Sequence, residues 1–209
     1  VLSSSAIRYR FYSGWGLSAL AIAQLAAFCN LTFWLGLFTV GGIIFLAEPL
    51  AIPTLLHLPF ASVQPLGAIF LLVIFVYILA TVLGRQPLKI GRWTLAYLPV
   101  KLALAQIIVA SLDWSLAAAV FYVLISSLTS LSYPAFFGIY LLAQIAGVIS
   151  NVPGGLGVFE TVMLLLLSPS IASSKLLGAL LIYRAIYYFL PLCVALLLLG
   201  GYELSQRFS

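Results

Sequence analysis

The sequence predicts an all-α polytopic membrane protein: a bundle of about six or seven transmembrane segments, some of them broken or re-entrant. Three observations carry that expectation. Of 209 residues, 65% are hydrophobic and only 6% charged, whereas a soluble domain carries about 25% charged residues, so most of this surface must be solvated by lipid. Long stretches hold no charge at all, the first running from Phe11 to Ala47. Prolines and glycines also interrupt the apolar chain, above all in "SNVPGGLGVFE", Ser150 to Glu160, with one proline, three glycines and a carboxylate.

Charges and helix breakers divide the chain into its elements. Arg8 and Arg10 close a short polar start. The uncharged run to Ala47 is longer than the ~30 Å an upright span needs, so it must tilt, bend or begin along the interface, with Gly41-Gly42 a candidate bend. Pro49, Pro53, Pro59 and Pro65 make Glu48 to Pro65 a loop. Leu66 to Gly84 is an unbroken apolar span. "RQPLKIGR", with Arg85, Lys89 and Arg92, is the densest basic loop and is expected to be cytoplasmic. With Arg8 and Arg10 also inside, the first two spans go out and back. Trp93 to Leu112 is the next segment, followed by Asp113 and Trp114, the latter suited to an interface. Ser115 to Leu131 comes next, and Ser132-Tyr133-Pro134 breaks it. Ala135 to Ile149 precedes the glycine-rich motif. Val158 to Leu167 is too short to span unless its helix begins at Gly155. Ser168-Pro169-Ser170 is a turn, Lys175 to Gly200 a final long helix, and "YELSQRFS" a polar tail. The chain reads as one transmembrane domain over 1–209. It opens on Val1 without a signal-peptide pattern, so N-terminal residues are expected to be missing.

Composition narrows the function. The net charge of +5 reflects basic loops facing the cytoplasm and anionic headgroups rather than nucleic-acid binding. Cys29 and Cys193 sit in apolar runs, where they pack as small hydrophobes, and His57 is the single histidine, in a proline-containing loop. No CxxC or metal-ligand spacing occurs, so neither a metal site nor a Ser-His-Asp hydrolase is expected. The glycine-rich motif lacks GxxxxGK[ST] and follows no strand, which argues against nucleotide binding. No cofactor is expected.

Four ionisable residues fall within apolar segments: Lys101, Asp113, Glu160 and Arg184. Such groups are costly in a bilayer and face a bundle interior or wet cavity with a partner. Lys101 lies eight residues after Trp93, about 12 Å along a helix, where it either snorkels or anchors a headgroup. Asp113 is expected at a helix junction, capping the segment from Ser115. Arg184 lies nine residues past Lys175 and before an uncharged run to Tyr202, so it reaches neither surface easily. Tyr187 and Tyr188, at i+3 and i+4, share its face. Arginine suits bidentate phosphate binding; an internal Arg184–Glu160 ion pair is the other reading, and both stay open. Pro153 removes a donor while Gly154, Gly155 and Gly157 relax the backbone. The helix starting near Gly155 aims free N–H groups and its positive end at the break, a setting for an anion. Glu160 sits in that first turn, as a helix-start residue or as a ligand. Gln144 and Asn151, seven apart, share a face and line the same space.

These residues carry a resemblance. "NVPGGLGVFE", "LDWSLAAAVFYVL", "LIYRAIYYFLPL" and "RYRFYSGWGLS…LTFWLG" are similar to the transmembrane region of the lysylphosphatidylglycerol synthase/flippase family (multiple peptide resistance factor type) and its stand-alone relatives. The likeness runs from about Ile7 to Leu204. It implies movement of aminoacylated phosphatidylglycerol from the inner to the outer leaflet of the bacterial inner membrane. That lowers negative surface charge and gives resistance to cationic antimicrobial peptides. It also implies that family helices precede Val1. The family's cytosolic synthase domain is not among these residues, so lysyl transfer is not implied.

The leading expectation is therefore a multi-pass phospholipid flippase-like domain, not an enzyme. It would translocate (aminoacyl-)phosphatidylglycerol or a related anionic or aminoacylated lipid, with membrane phospholipid as its partner. Arg184 and the helix start after Pro153 would meet phosphate, Glu160 an amino group, and Lys101 would add an anchor. A non-catalytic membrane subunit that stabilises a larger complex or tethers a synthase is the alternative, and homo-oligomers or partner subunits stay open. An enzyme on a lipid-linked substrate is disfavoured by the few carboxylates, though Asp113 and Glu160 could pair.

Overall fold

A computed structural model describes residues 12–14, 16–50, 62–84, 88–90, 93–95 and 99–208, with side chains described outside 88–90, 93–95 and 202–208. The chain divides into two compact units, Val1–Ser115 and Leu116–Ser209.

The first unit opens with helix α1, Ala19–Ala47, started by Ser18, whose hydroxyl accepts from the Ala21 N–H at 3.2 Å. Helix α2, Gln64–Leu83, has Pro65 in its first turn and stops at Gly84. The two run antiparallel, since Gly41 lies on Phe70 while Gly67 lies on Phe45. At the candidate bend, Gly41-Gly42, α1 runs on as one helix. Both glycines instead remove side-chain bulk at the crossing, where a Cβ on Gly42 would stand 2.6 Å from Leu71 Cδ2. Leu35, Ile74 and Ile107 form a buried cluster, with Phe38, Tyr77 and Ile78 packed on it.

Two short antiparallel strands follow, β1 (Leu88–Ile90) and β2 (Trp93–Leu95), with Lys89 opposite Thr94. They move Trp93 out of the helix expected to begin there. Helix α3, Val100–Ile125, starts after Pro99, whose carbonyl accepts from Leu102 N–H at 2.8 Å and Ala103 N–H at 3.1 Å. Lys101 is therefore in the first turn of a helix rather than about 12 Å along one. Two segments expected on either side of Asp113 are one helix. Neither glycine nor proline lies between Val100 and Ile125, so nothing there ends the hydrogen-bond ladder. Asp113 is consequently a mid-helix residue and caps nothing. Trp114 is not at an interface either: it is buried, with its Nε1 donating to the Phe33 carbonyl at 3.2 Å.

The second unit takes the end of α3 and continues with α4, Tyr133–Ile149. Ser132 accepts from Ala135 N–H at 3.4 Å, and Pro134 sits in the first turn, where its missing N–H costs nothing. A break carries a single 3₁₀ turn, Pro153–Gly155, and leads to α5, Val158–Leu167. Helix α6, Ser173–Arg184, passes into a π turn, Ala185–Phe189, and then α7, Leu190–Phe208. Pro191 explains the π turn. It has no N–H for the carbonyl of Tyr187 and its ring crowds that turn; the ladder shifts register, with Leu190 N–H donating to Ala185 O. The polar end of the chain thus continues the helix to Phe208.

Among the described residues, four stretches are long and apolar enough to cross a membrane: Ala19–Ala47, Gln64–Leu83, Val100–Ile125 and Ser173–Gly201. Tyr133–Ile149 and Pro153–Leu167 are shorter apolar helices. The fold is that of an all-α polytopic membrane protein with a broken helical segment. Cys29 and Cys193 are free and exposed, so they face the apolar surroundings instead of packing inside. His57, Arg8, Arg10, Arg85 and Arg92 lie outside the described residues, and with them the expectation of a cytoplasmic basic loop.

Candidate functional site

The site grows from the break between α4 and α5. Helix α4 ends as Ser150 turns back, its hydroxyl donating to Gly147 O at 2.7 Å and accepting from Val152 N–H at 3.3 Å. Asn151, Gly154, Gly155 and Gly157 then take positive φ, at 56°, 67°, 59° and 82°. L-residues with a Cβ resist that region, and Asn tolerates it best. Gly155 meets a second constraint. A Cβ there would lie 3.2 Å from the Cα of Gly147, so the loop passes against α4 at glycine–glycine distance. Irregular backbone of this kind is tolerated at membrane depth only against protein or water.

Glu160 is held at the start of α5. One carboxylate oxygen accepts from the Gly157 N–H at 2.8 Å, half of a capping box; glycine has no side chain to return the other half. Its other oxygen accepts from Nε of Arg184. The side chains are 12% exposed for Arg184 and 21% for Glu160. The Arg184 Nη1 points to the Gly154 carbonyl at 3.4 Å, and the guanidinium carbon stands 5.2 Å from the centre of the Tyr188 ring. Tyr187 and Tyr188 meet edge to face at 5.3 Å.

Helix length sets the depth. Helix α5 has 10 residues, about 15 Å, half the ~30 Å hydrocarbon thickness. It runs to the exposed turn at Ser168-Pro169-Ser170, from which α6 returns. Arg184 lies 11 residues beyond Ser173, and Glu160 eight residues before Ser168. Both therefore sit roughly 12–17 Å from that turn. The ion pair and the break therefore lie together about half a hydrocarbon thickness from that turn.

Of the residues expected at the site, Gly154, Gly155, Glu160, Arg184, Tyr187 and Tyr188 come together. Gln144 does not turn to the break; its Nε2 donates to the Tyr140 hydroxyl at 2.9 Å. Asn151 folds onto its own loop, its Nδ2 donating to Ile149 O at 3.2 Å. Lys101 and Asp113 belong to the first unit, so the geometry of the cluster rests on the second unit's residues alone. Sequence reasoning passed over Tyr140. It is 1% exposed, and its hydroxyl lies 2.8 Å from that of Tyr183. Phe121 and Phe159 close the same aromatic cluster, Phe121 stacking on Tyr183 at 4.9 Å. The signal that could have found it is the i, i+4 spacing of Tyr140 and Gln144 on one helix face.

Chemically the cluster offers an anion two things and a cation a third. The guanidinium has N–H groups beyond those directed at Glu160 and Gly154. The first turn of α5 supplies backbone donors and a positive dipole end. Glu160 and the tyrosine faces beside it suit a cation.

Fold and site together define a class: a polytopic membrane protein in which a helix breaks beside a part-buried ion pair. By sequence, the chain is 57% identical over 207 residues to uncharacterized protein slr0712 of Synechocystis sp., covering 99% of this chain and 64% of that protein. It is 34% identical over 200 residues to the inner membrane protein YbhN of Escherichia coli, covering 91% of this chain and 60% of that protein. Over 94 residues it is 42% identical to a phosphatidylglycerol lysyltransferase of Staphylococcus epidermidis, covering 44% of this chain and 11% of that protein. No protein-family model matches the chain. The chain is thus similar to YbhN over most of its own length and to the phosphatidylglycerol lysyltransferases over less than half of it. It spans under two thirds of the length of these relatives.

Proposed function

We propose that this chain is a lipid-translocating domain of the bacterial inner membrane. It moves phosphatidylglycerol, its aminoacylated form or a related anionic lipid between leaflets without covalent chemistry. One observation carries the reading: the Glu160–Arg184 pair closes directly onto broken backbone between apolar helices. A structural ion pair needs no irregular backbone beside it, whereas a headgroup crossing the bilayer needs donors inside it. The lipid's phosphate engages Arg184 and the start of α5 while Glu160 lets go of the guanidinium. An amino group on the headgroup takes Glu160's second bond. The name of the lysyltransferase relatives supports a phosphatidylglycerol substrate, and YbhN's name supports the inner membrane.

The test is leaflet exchange in proteoliposomes, using labelled phosphatidylglycerol and its lysyl derivative. Arg184→Ala and Glu160→Gln should each slow exchange by at least tenfold, the factor of about 1.4 kcal/mol for one charged hydrogen bond. Exchange at the wild-type rate in both variants overturns the reading.

A further inference from the structure

Behind the ion pair lies a chain of hydrogen bonds that the lipid contacts do not use. Gln144 Nε2 donates to the Tyr140 hydroxyl at 2.9 Å, and the Tyr140 and Tyr183 hydroxyls are 2.8 Å apart. Both tyrosines are sealed from the surface, at 1% and 0% exposure. Tyr183 is the residue before Arg184. Its ring is gripped on one face by Phe121 at 4.9 Å and on the other by Tyr187 at 5.4 Å. Its side chain therefore has a single orientation relative to α4.

The orientation of Tyr183 is passed on to its neighbour. Consecutive helical residues are separated by ~100°, so fixing Tyr183 fixes the direction in which Arg184 leaves the helix. Downstream, the π turn Ala185–Phe189 shifts the hydrogen-bond register at once. A regular ladder on that side cannot set the azimuth of Arg184. The upstream residue is anchored to another helix, and its polar anchor there is the Tyr140 hydroxyl.

We propose that Tyr140 and Tyr183, backed by Gln144, are positioning residues. Their hydroxyl pair locks the rotation of α6 so that the guanidinium of Arg184 rests on Glu160 and the break. This deepens the headgroup-binding reading and rests on it for its functional meaning, but its geometry can be tested without lipid. Replacing both hydroxyls together, Tyr140→Phe/Tyr183→Phe, keeps the ring packing and leaves neither hydroxyl buried without the other; the half-buried Gln144 amide loses its acceptor, so the fold should lose only about 1 kcal/mol.

The experiment measures how fast phenylglyoxal modifies Arg184 in nanodisc-embedded protein, with peptide mapping to read that arginine apart from the others. Glu160→Gln defines the released rate. The double phenylalanine variant should react about fivefold faster than wild type, the factor carried by one net hydrogen bond of roughly 1 kcal/mol. A wild-type rate in a folded double variant overturns the proposal. If that variant does not fold, Gln144→Leu decides: it loosens only the outer link and should raise the rate about twofold, and no rise there overturns the proposal as well. A purely packing role would move the melting temperature and leave Arg184 reactivity alone. The two readings fail separately. Should Arg184→Ala exchange lipid normally, the headgroup reading falls, while the phenylglyoxal rates still decide whether Tyr140 and Tyr183 orient the arginine.

Discussion

Gly42 and Gly154 do opposite work in the two units. Gly42 lies in an unbroken helix, where any side chain would strike Leu71. Gly154 has room around it, its nearest neighbour to an added Cβ being Leu156 at 3.9 Å, but its φ of 67° suits few other residues. The first unit uses glycine to bring whole helices together; the second uses it to take a helix apart. Polar groups divide in the same way. In the first unit, Gln106 donates to Thr32 at 2.7 Å and accepts from Tyr77 at 3.0 Å, so three helices share neutral hydrogen bonds. In the second, a charge pair closes onto the broken backbone through Gly157 N–H and Gly154 O. A membrane protein that only needed to pack would resemble the first unit throughout. The second unit gives up helical regularity, and that sacrifice marks where the chain does something besides packing.

The largest effect should come from unbalancing the charge pair. Glu160→Gln leaves a guanidinium without its counter-ion at membrane depth, at a cost of about 3 kcal/mol, reduced by its partial exposure. Arg184→Met alone leaves a carboxylate that still accepts from Gly157, so it should cost less. The double variant Glu160→Gln/Arg184→Met buries no charge and should recover most of the stability in detergent melts, yet remain unable to exchange lipid. Recovery of both properties together would make the pair a packing feature, like those of the first unit.

The next effect separates the two uses of glycine. Gly36→Ala would push a Cβ to 2.6 Å from Ala110 Cβ and 2.8 Å from its backbone. Backbone cannot rotate away, so the helices must part, at a cost of about 1–3 kcal/mol. Gly154→Ala meets no atom so closely and should cost about 1 kcal/mol through torsion alone. Asparagine distinguishes them: Gly154→Asn should restore much of the loss, because Asn tolerates left-handed backbone, while Gly36→Asn should be worse than alanine. Thermal shifts of the four variants check this, and equal behaviour at both positions would erase the contrast.

Much of the second unit was legible in its residues, and the reason is cost. Proline and glycine dictate torsions locally, so the break after Ser150 and the turn at Ser168-Pro169-Ser170 follow from the chain itself. A charge in lipid demands a partner, which made Glu160 and Arg184 a candidate pair from their positions alone. Asp113 misled because an acid just ahead of an apolar run looks like a helix start; the ladder simply ran through it, as no residue near it forbids helix. Lys101 misled because the strands at Leu88–Ile90 and Trp93–Leu95 arise from pairing between segments, which local composition does not encode. Tyr140 stayed hidden for a third reason. A tyrosine in an apolar helix looks the same whether its hydroxyl reaches the interface or a second tyrosine 43 positions away.

The smallest effect lies in the first unit. Gln106 is 5% exposed and ties α1, α2 and α3 through Thr32 and Tyr77. Interhelical hydrogen bonds in membranes average about 0.6 kcal/mol, because a separated helix finds other partners. Gln106→Leu should therefore cost little, and Tyr77→Phe little again. A double-mutant cycle should return about 0.6 kcal/mol of coupling, read from denaturation in mixed micelles. Lipid exchange should stay near wild type in all three variants, because the bond joins helices and neither charges nor broken backbone stand beside it. If Gln106→Leu instead stopped exchange while the protein melted normally, the neutral junction would be part of the lipid path. The division of labour between the two units would then be wrong, although every distance within them would stand.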